Sequence, residues 1–375
     1  MKPRRLFAIL LLLSTTFSLL FSMYSILRAE AWYRCYGNYG YDLSVFSESL
    51  NSTLNGRGFF FNTREWQDHG AWSHFGTHNS PILFLLLLPY AVHPSVHTLL
   101  IIQALAVSLA ALVLFEFSRE VLKSEKSALA ISAAYLFNPL THGVIAYEFH
   151  PCVLGVPFMF LYAYFMERGE LRKATIAALL ILSVKEDAGL FLIAYSLMRV
   201  LQKQEFKIRE WFRDKVAVSF AALGLVWILF SVFIVIPHFN VMHRYPYFGD
   251  AYSSPWTSRT RVFSVATIKL LIALMSTGFV VKRKFLPPLL LLWMENSLST
   301  RFTQATIGYQ YDYMFLPLLF IVVTYSGRDW NQTILLKILI VSSVISMFLF
   351  SPVFGLLNAC PASCSIRIWT LLKLL

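Results

Sequence analysis

ATIAALLILSVKEDAGLFLIAYSLM, residues 174–198, is an apolar stretch long enough to cross a bilayer, yet Lys185, Glu186 and Asp187 stand side by side at its middle. A charge at mid-membrane depth costs about 3 kcal/mol even on lenient insertion scales, and core packing has no use for three of them together. The triplet therefore marks a site. Each flank supplies only roughly 15 Å of helix at 1.5 Å per residue, too little to span. The reading is a broken-helix hairpin over residues 174–199, two half-helices meeting at the charges, because irregular backbone at that depth persists only where it lines a protein cavity.

The rest of the chain agrees with a membrane setting. Of its 375 residues 57% are hydrophobic and only 14% charged, whereas soluble domains carry about 25% charged residues. The formal net charge of +12 does not point to nucleic acid, because the basic residues sit in short clusters between apolar runs, the pattern that orients helices in a bilayer. Lys2, Arg4 and Arg5 precede the apolar run 6–27, which is too long for the core of a signal peptide and lacks a small-residue cleavage site. It is read as the first spanning helix. Further runs at 96–117, 127–147, 151–166, 216–236, 262–281, 311–325 and 333–350, with shorter ones at 285–299 and in the hairpin, predict an all-α bundle of about 11 helices. Residues 1–375 form a single transmembrane domain in this reading, with no separate soluble domain. Cys35, Cys152, Cys360 and Cys364 are too scattered to define a disulfide framework, and Cys360 and Cys364 read as unpaired thiols.

The Lys and Arg bias then sets orientation in the cell membrane. With the N-terminus cytoplasmic, Arg119, Lys123 and Lys126 fall inside, as do Arg168, Arg172 and Lys173. The strongest cluster, Arg199, Lys203, Lys207, Arg209, Arg213 and Lys215, would lie outside if 174–198 were one ordinary helix; the hairpin returns it to the cytoplasm. The C-terminus and the long segments 28–95, 238–261, 300–310 and 352–375 become extracytoplasmic.

Nearly all chemistry-bearing residues then share the outer face: Asp42, His74, His78, Glu148, His150, Glu186 and Asp187. In the first outer loop, 28–95, Leu43, Phe46, Leu50 and Leu54 share one helical face, with Ser44, Ser47, Glu48 and Asn51 opposite, which describes an amphipathic interfacial helix. Trp32, Tyr33, Tyr36, Tyr39, Trp66 and Trp72 suit the same headgroup depth. Asp42 opens that helix, so N-capping and general-base roles are both open to it. His74, His78, Glu148 and His150 offer nitrogen and oxygen donors for a divalent metal, although no dedicated metal spacing is present. Arg244, in the aromatic loop containing His238, His243 and Tyr245-Pro246-Tyr247-Phe248, belongs either to a flap over a substrate or to an interfacial loop. Asp312 is placed near the outer surface, as a cap or a hydroxyl contact.

Tyr41-Asp42 with Gly56-Arg57-Gly58 behind it, His78-Asn79-Ser80-Pro81, Phe149-His150-Pro151 and Lys185-Glu186-Asp187, in that order, resemble a family of polytopic membrane proteins of unknown function grouped with the GT-C-fold glycosyltransferases. The likeness covers residues 39–201 and more loosely 287–320, and departs at Gln310-Tyr311, where a histidine-tyrosine pair is expected. It implies a GT-C-like fold and a sugar transferase drawing on a polyprenyl-phosphate-linked donor at the extracytoplasmic side. The acidic residue of the first outer loop, here Asp42, would act as base or position the acceptor.

Together these readings predict an inverting transferase that uses no nucleotide and no certain cofactor. Asp42 is its base, and Lys185, Glu186, Asp187, His78, Glu148, His150 and Arg244 are its substrate contacts. Lys185 is the cation for the departing phosphate, with Arg259, Arg261 and Arg301 as further phosphate clamps. Its partners are the bilayer, the lipid-linked sugar and an acceptor glycan, lipid or protein. The rival from another class is a multi-pass transporter or lipid flippase, for which a broken helix with mid-membrane charges is equally natural. That reading calls for an inverted repeat, and the hydropathy pattern contains none.

Overall fold

The computed structural model describes residues 3–203, 212–247, 252 and 256–353. Cys360 and Cys364, and Lys207 and Arg209 of the basic cluster, lie outside these residues. The described residues are helical throughout, without a β-strand; a lone antiparallel bridge joins Ala71 to Asn240.

Among the described residues four helices are long and apolar enough to cross a membrane: Arg5–Tyr36, Val96–Leu122, Lys215–His238 and Gln332–Phe350. A fifth crossing is available if Glu125–Leu136 and Pro139–Ala146, bent by 48°, count as one. The expected bundle of about 11 helices is not reproduced as eleven crossing-length helices among the described residues. Other apolar runs form shorter helices: Phe315–Ser326, buried along its whole length, and Gly155–Glu167, which follows a tight turn over Pro151–Leu154.

In chain order the helices are α1 (Pro3–Tyr36), α2 (Tyr41–Leu54), α3 (Thr63–His69), α4 (Leu83–Val92), α5 (Val96–Leu122), α6 (Glu125–Leu136), α7 (Pro139–Ala146), α8 (Gly155–Glu167), α9 (Leu171–Leu182) and α10 (Gly189–Lys203). They are followed by α11 (Lys215–Phe230), α12 (Trp256–Ser276), α13 (Leu286–Ser297), α14 (Phe315–Ser326) and α15 (Gln332–Phe350). A π turn over Ser231–Val235 carries α11 on to His238. Helix α5 is the hub, packed against α1, α6 and α8.

Local chemistry accounts for the breaks. The 127–147 run is interrupted at Asn138, whose side chain caps α7 by accepting the Leu140 N–H at 2.9 Å and donates to Ser276 Oγ at 2.7 Å. Pro139 follows in the first turn, where its missing N–H costs nothing. The 174–198 stretch breaks where expected: α9 ends at Leu182, Lys185 is extended, and a single turn over Glu186–Ala188 leads into α10. The halves part there rather than packing along each other. Helix α9 lies along α8, whereas α10 lies along α11. Gly189 and Gly224 set that second contact, since a Cβ on either would overlap the other's carbonyl oxygen.

The segment after α1 forms a cap beside the bundle. Leu43, Phe46 and Leu50 of α2 are buried in the protein core, whereas Leu54 is exposed. Trp32, Tyr33, Tyr36, Trp66 and Trp72 are also exposed. Cys35, at the end of α1, is disulfide-bonded.

Candidate functional site

A cavity of about 600 Å³ lies between α2, the triplet turn, α11, α13 and the loop before α14. Polar and apolar residues share its lining; the apolar wall is made of Ile228 from α11, Val232 and Phe233 from the π turn after it, and Leu291, Met294 and Leu298 from α13 and its end. Phe233 and Met294 also reach the exposed surface of the bundle, at 71% and 45% relative exposure. The apolar wall therefore runs from the cavity to the outside between two helices.

Three carboxylate–imidazole pairs line the polar side. His150 Nε2 stands 3.4 Å from Asp42 Oδ2, while its Nδ1 faces the Glu148 carbonyl at 3.0 Å. Glu65, fully enclosed, pairs with His74 Nδ1 at 3.0 Å and accepts from Thr77 Oγ1 and Asn62 Nδ2 at 2.5 Å each. Glu186 pairs with His78 Nδ1 at 2.8 Å, and accepts from Tyr245 OH at 2.9 Å and the Asn79 N–H at 3.2 Å. Each imidazole has Nδ1 committed, and Nε2 of His74 is buried without a hydrogen-bond partner.

Burial works to raise the Asp42 carboxyl, but the imidazoles of His150, His78 and His74 more than reverse it and hold the group below its ordinary value. Glu65 behaves likewise, with His74, Thr77 and Asn62 outweighing burial. Asp42 does not cap α2. That helix starts after Gly40, held at φ +94° with no room for a Cβ beside Glu148, and Glu148 itself accepts the Leu43 N–H at 3.0 Å.

The triplet divides its work. Lys185 Nζ contacts Asp187 at 2.5 Å and Glu186 at 4.0 Å, and its carbonyl accepts from Trp227 Nε1 at 3.1 Å. Asp187 also accepts from Tyr313 OH. The loop after α11 closes over these groups: Tyr245 holds Glu186, and Tyr247 stacks on His78 with ring centroids 5.0 Å apart.

Of the sequence-derived candidates, Asp42, His74, His78, His150, Lys185, Glu186 and Asp187 all border this cavity. Two do not. Glu148 turns to the other side, beside Arg28 and Tyr147, where its job is the first turn of α2. Arg244 is exposed and, among the described residues, its side chain reaches only Met242 Sδ. Among the described residues no three His, Cys, Asp or Glu donors are placed to hold one metal ion, so the set His74, His78, Glu148 and His150 is not a preformed metal centre. Asp312 is buried rather than superficial, paired with Lys269 at 2.8 Å. His150 makes no capping bond, and Cys152 is a buried free thiol on the cavity wall.

Sequence reasoning passed over Glu65 and Glu295. Asn62-Thr63-Arg64-Glu65 has the N-cap and third-residue acid spacing of a capping box, and Asn62 does accept the Glu65 N–H at 2.8 Å. Glu295 is a lone acid in an apolar run, the same anomaly that exposed the triplet.

A helical bundle with crossing-length apolar helices, and a cavity lined by both charged and apolar residues, has the make-up of a membrane protein. Residues 38–373 match the DUF2079 family, described as predicted membrane protein, and the chain belongs to that family. No curated protein and no solved structure matches it.

Proposed function

We propose that this protein is a membrane glycosyltransferase that moves a sugar from a polyprenyl-phosphate-linked donor to an acceptor at the extracytoplasmic side. One observation carries the reading: a single cavity joins a hydrogen-bonding, carboxylate-rich interior to an apolar wall that continues to the outer surface of the bundle. A ligand matching both parts is an amphiphile, with a polyhydroxylated head among the carboxylates and a chain lying against Val232, Phe233 and Met294. Disulfide bonding of Cys35 supports an oxidising, extracytoplasmic side for the cap.

In this mechanism Asp42, ionised because imidazoles hold its carboxyl low, accepts the hydrogen bond of an acceptor hydroxyl. The hydroxyl oxygen bonds to the anomeric carbon from the face opposite the lipid phosphate. The bond from that carbon to the phosphate oxygen breaks, its electron pair leaves with the phosphate, and the hydroxyl proton passes to Asp42. Inversion at the anomeric carbon follows. His150 holds the Asp42 carboxylate in position, and Glu186 and Asp187 offer acceptors to sugar hydroxyls.

The test is transfer from radiolabelled polyprenyl-phosphate sugars by purified protein in proteoliposomes. Asp42→Asn is expected to abolish transfer while leaving the melting transition in place. Full activity in that variant overturns the role of Asp42, and lipid translocation without transfer makes the protein a flippase.

A further inference from the structure

We infer that Arg301 is the seat for the phosphate of the ligand, and that Lys185 is not. The inference rests on the lipid-linked reading above and names the part of the site that reads the head group.

Every other cation bordering the cavity is already matched to a carboxylate. Lys185 is held by Asp187 and Glu186, and the imidazoles of His74, His78 and His150 face Glu65, Glu186 and Asp42. A phosphate approaching Lys185 would have to displace Asp187 while facing Glu186, a like-charge encounter in a poorly screened interior. Arg301 differs. It borders the same cavity, and its guanidinium lies 4.4 Å over the Tyr247 ring, with no ion pair or hydrogen bond from that group among the described residues. An aromatic face holds a guanidinium by cation–π attraction without using its N–H groups, so the planar fork that suits phosphate oxygens stays free.

Its setting points to the same ligand. Arg301 stands three residues after Leu298, the end of the apolar wall, so an anion there continues into a chain lying along α13. The loop also carries Gln304 and Gln310, both 8% exposed and bordering the cavity, whose amide oxygens have no donor among the described residues. Buried acceptors of this kind are completed by hydroxyl donors, which a sugar beside the phosphate supplies. The loop is fixed from beneath, since Lys269 Nζ donates to the Gln304 carbonyl at 2.7 Å and pairs with Asp312.

The experiment measures binding rather than turnover, comparing a polyprenyl phosphate with the polyprenol of equal length in detergent. Inorganic phosphate serves as competitor. The native protein is expected to prefer the phosphate at least tenfold, with little competition from free phosphate because the chain supplies the rest of the affinity. Arg301→Gln should abolish the preference, Arg301→Lys should keep only part of it, and Lys185→Met should retain it. Retained preference in folded Arg301→Gln, or its loss in Lys185→Met alone, overturns the inference. If Arg301→Gln does not fold, full preference in Arg301→Lys overturns it. Displacement by inorganic phosphate as effective as by the lipid would make the site one for soluble phosphates. Lost preference in Arg301→Gln together with no transfer from any donor would leave the phosphate seat standing and remove the transferase reading.

Discussion

The carboxylate of Glu148 accepts the backbone N–H of Leu43 from 105 positions further along the chain, at 3.0 Å. Two residues on, His150 faces Asp42, so one extended segment grips the first turn of α2 at two adjacent points. Burial first, then the Asp42 charge, hold the Glu148 carboxyl above its ordinary value. The folded state thus keeps a proton that the unfolded chain releases. That contribution to stability is complete below the ordinary carboxyl value and lost as pH rises through the raised one. Asp42, held low, runs the other way, its contribution being lost as pH falls. Glu148→Gln, which keeps an acceptor for Leu43, is expected to melt higher than the native protein at pH 7, with the gain vanishing near pH 4. Glu148→Ala should cost about 1 kcal/mol, as loss of a helix cap does. Thermal unfolding in detergent across pH measures both.

Glu65 is the anchor of the cap. Removing it strands the His74 imidazole, Thr77 and Asn62 in a closed interior. Glu65→Ala is expected to lose about 3–5 kcal/mol, the range for one partner of a buried pair. Glu65→Gln should lose less, because it still bonds Asn62 and Thr77. An unchanged melting temperature for Glu65→Ala would show that the cap is held by something else.

The glycine contact between α10 and α11 has no spare room. Gly189→Ala must push the helices apart, at about 1–3 kcal/mol for overpacking, and it moves the turn bearing Glu186 and Asp187. Destabilisation accompanied by weaker ligand binding is expected. A variant as stable as the native protein, with native binding, contradicts the packing described for Gly224.

Orientation is open to direct labelling. Cysteine placed at Gln202, near the end of α10, should react with an impermeant maleimide only after the membrane is permeabilised, whereas cysteine at Arg57, beyond α2, should react in intact cells. Reversal of this pattern would place the cavity mouth on the cytoplasmic side.

The parts of the fold that were legible in the sequence are those written locally. Three charges in an apolar run located the break before α10, and the spacing of Leu43, Phe46 and Leu50 located α2. Asn138-Pro139 also announced a turn, but the apolar residues around it read as one continuous span. How much of an apolar run becomes regular helix, and how deeply its neighbours bury it, is not written locally: the run 311–325 yields only the helix α14, buried on every side. The candidate site was legible as a set of residue types but not as an arrangement. Nothing near position 148 says that its carboxylate turns to α2 while His150, two residues away, turns to the cavity, because that choice is made by contacts across more than a hundred residues. Arg244 and Arg301 looked alike in sequence, and only the Tyr247 ring distinguishes them.

The apolar side chains Phe233 and Met294, which both line the cavity and are exposed on the bundle, change the units in which supply of a lipid-linked ligand is reckoned. A molecule entering there arrives by diffusion in two dimensions, so occupancy follows its mole fraction among the lipids rather than its molarity in the bulk. Adding inert lipid to a fixed quantity of protein and ligand should therefore slow the reaction, whereas enlarging the aqueous volume should leave it unchanged.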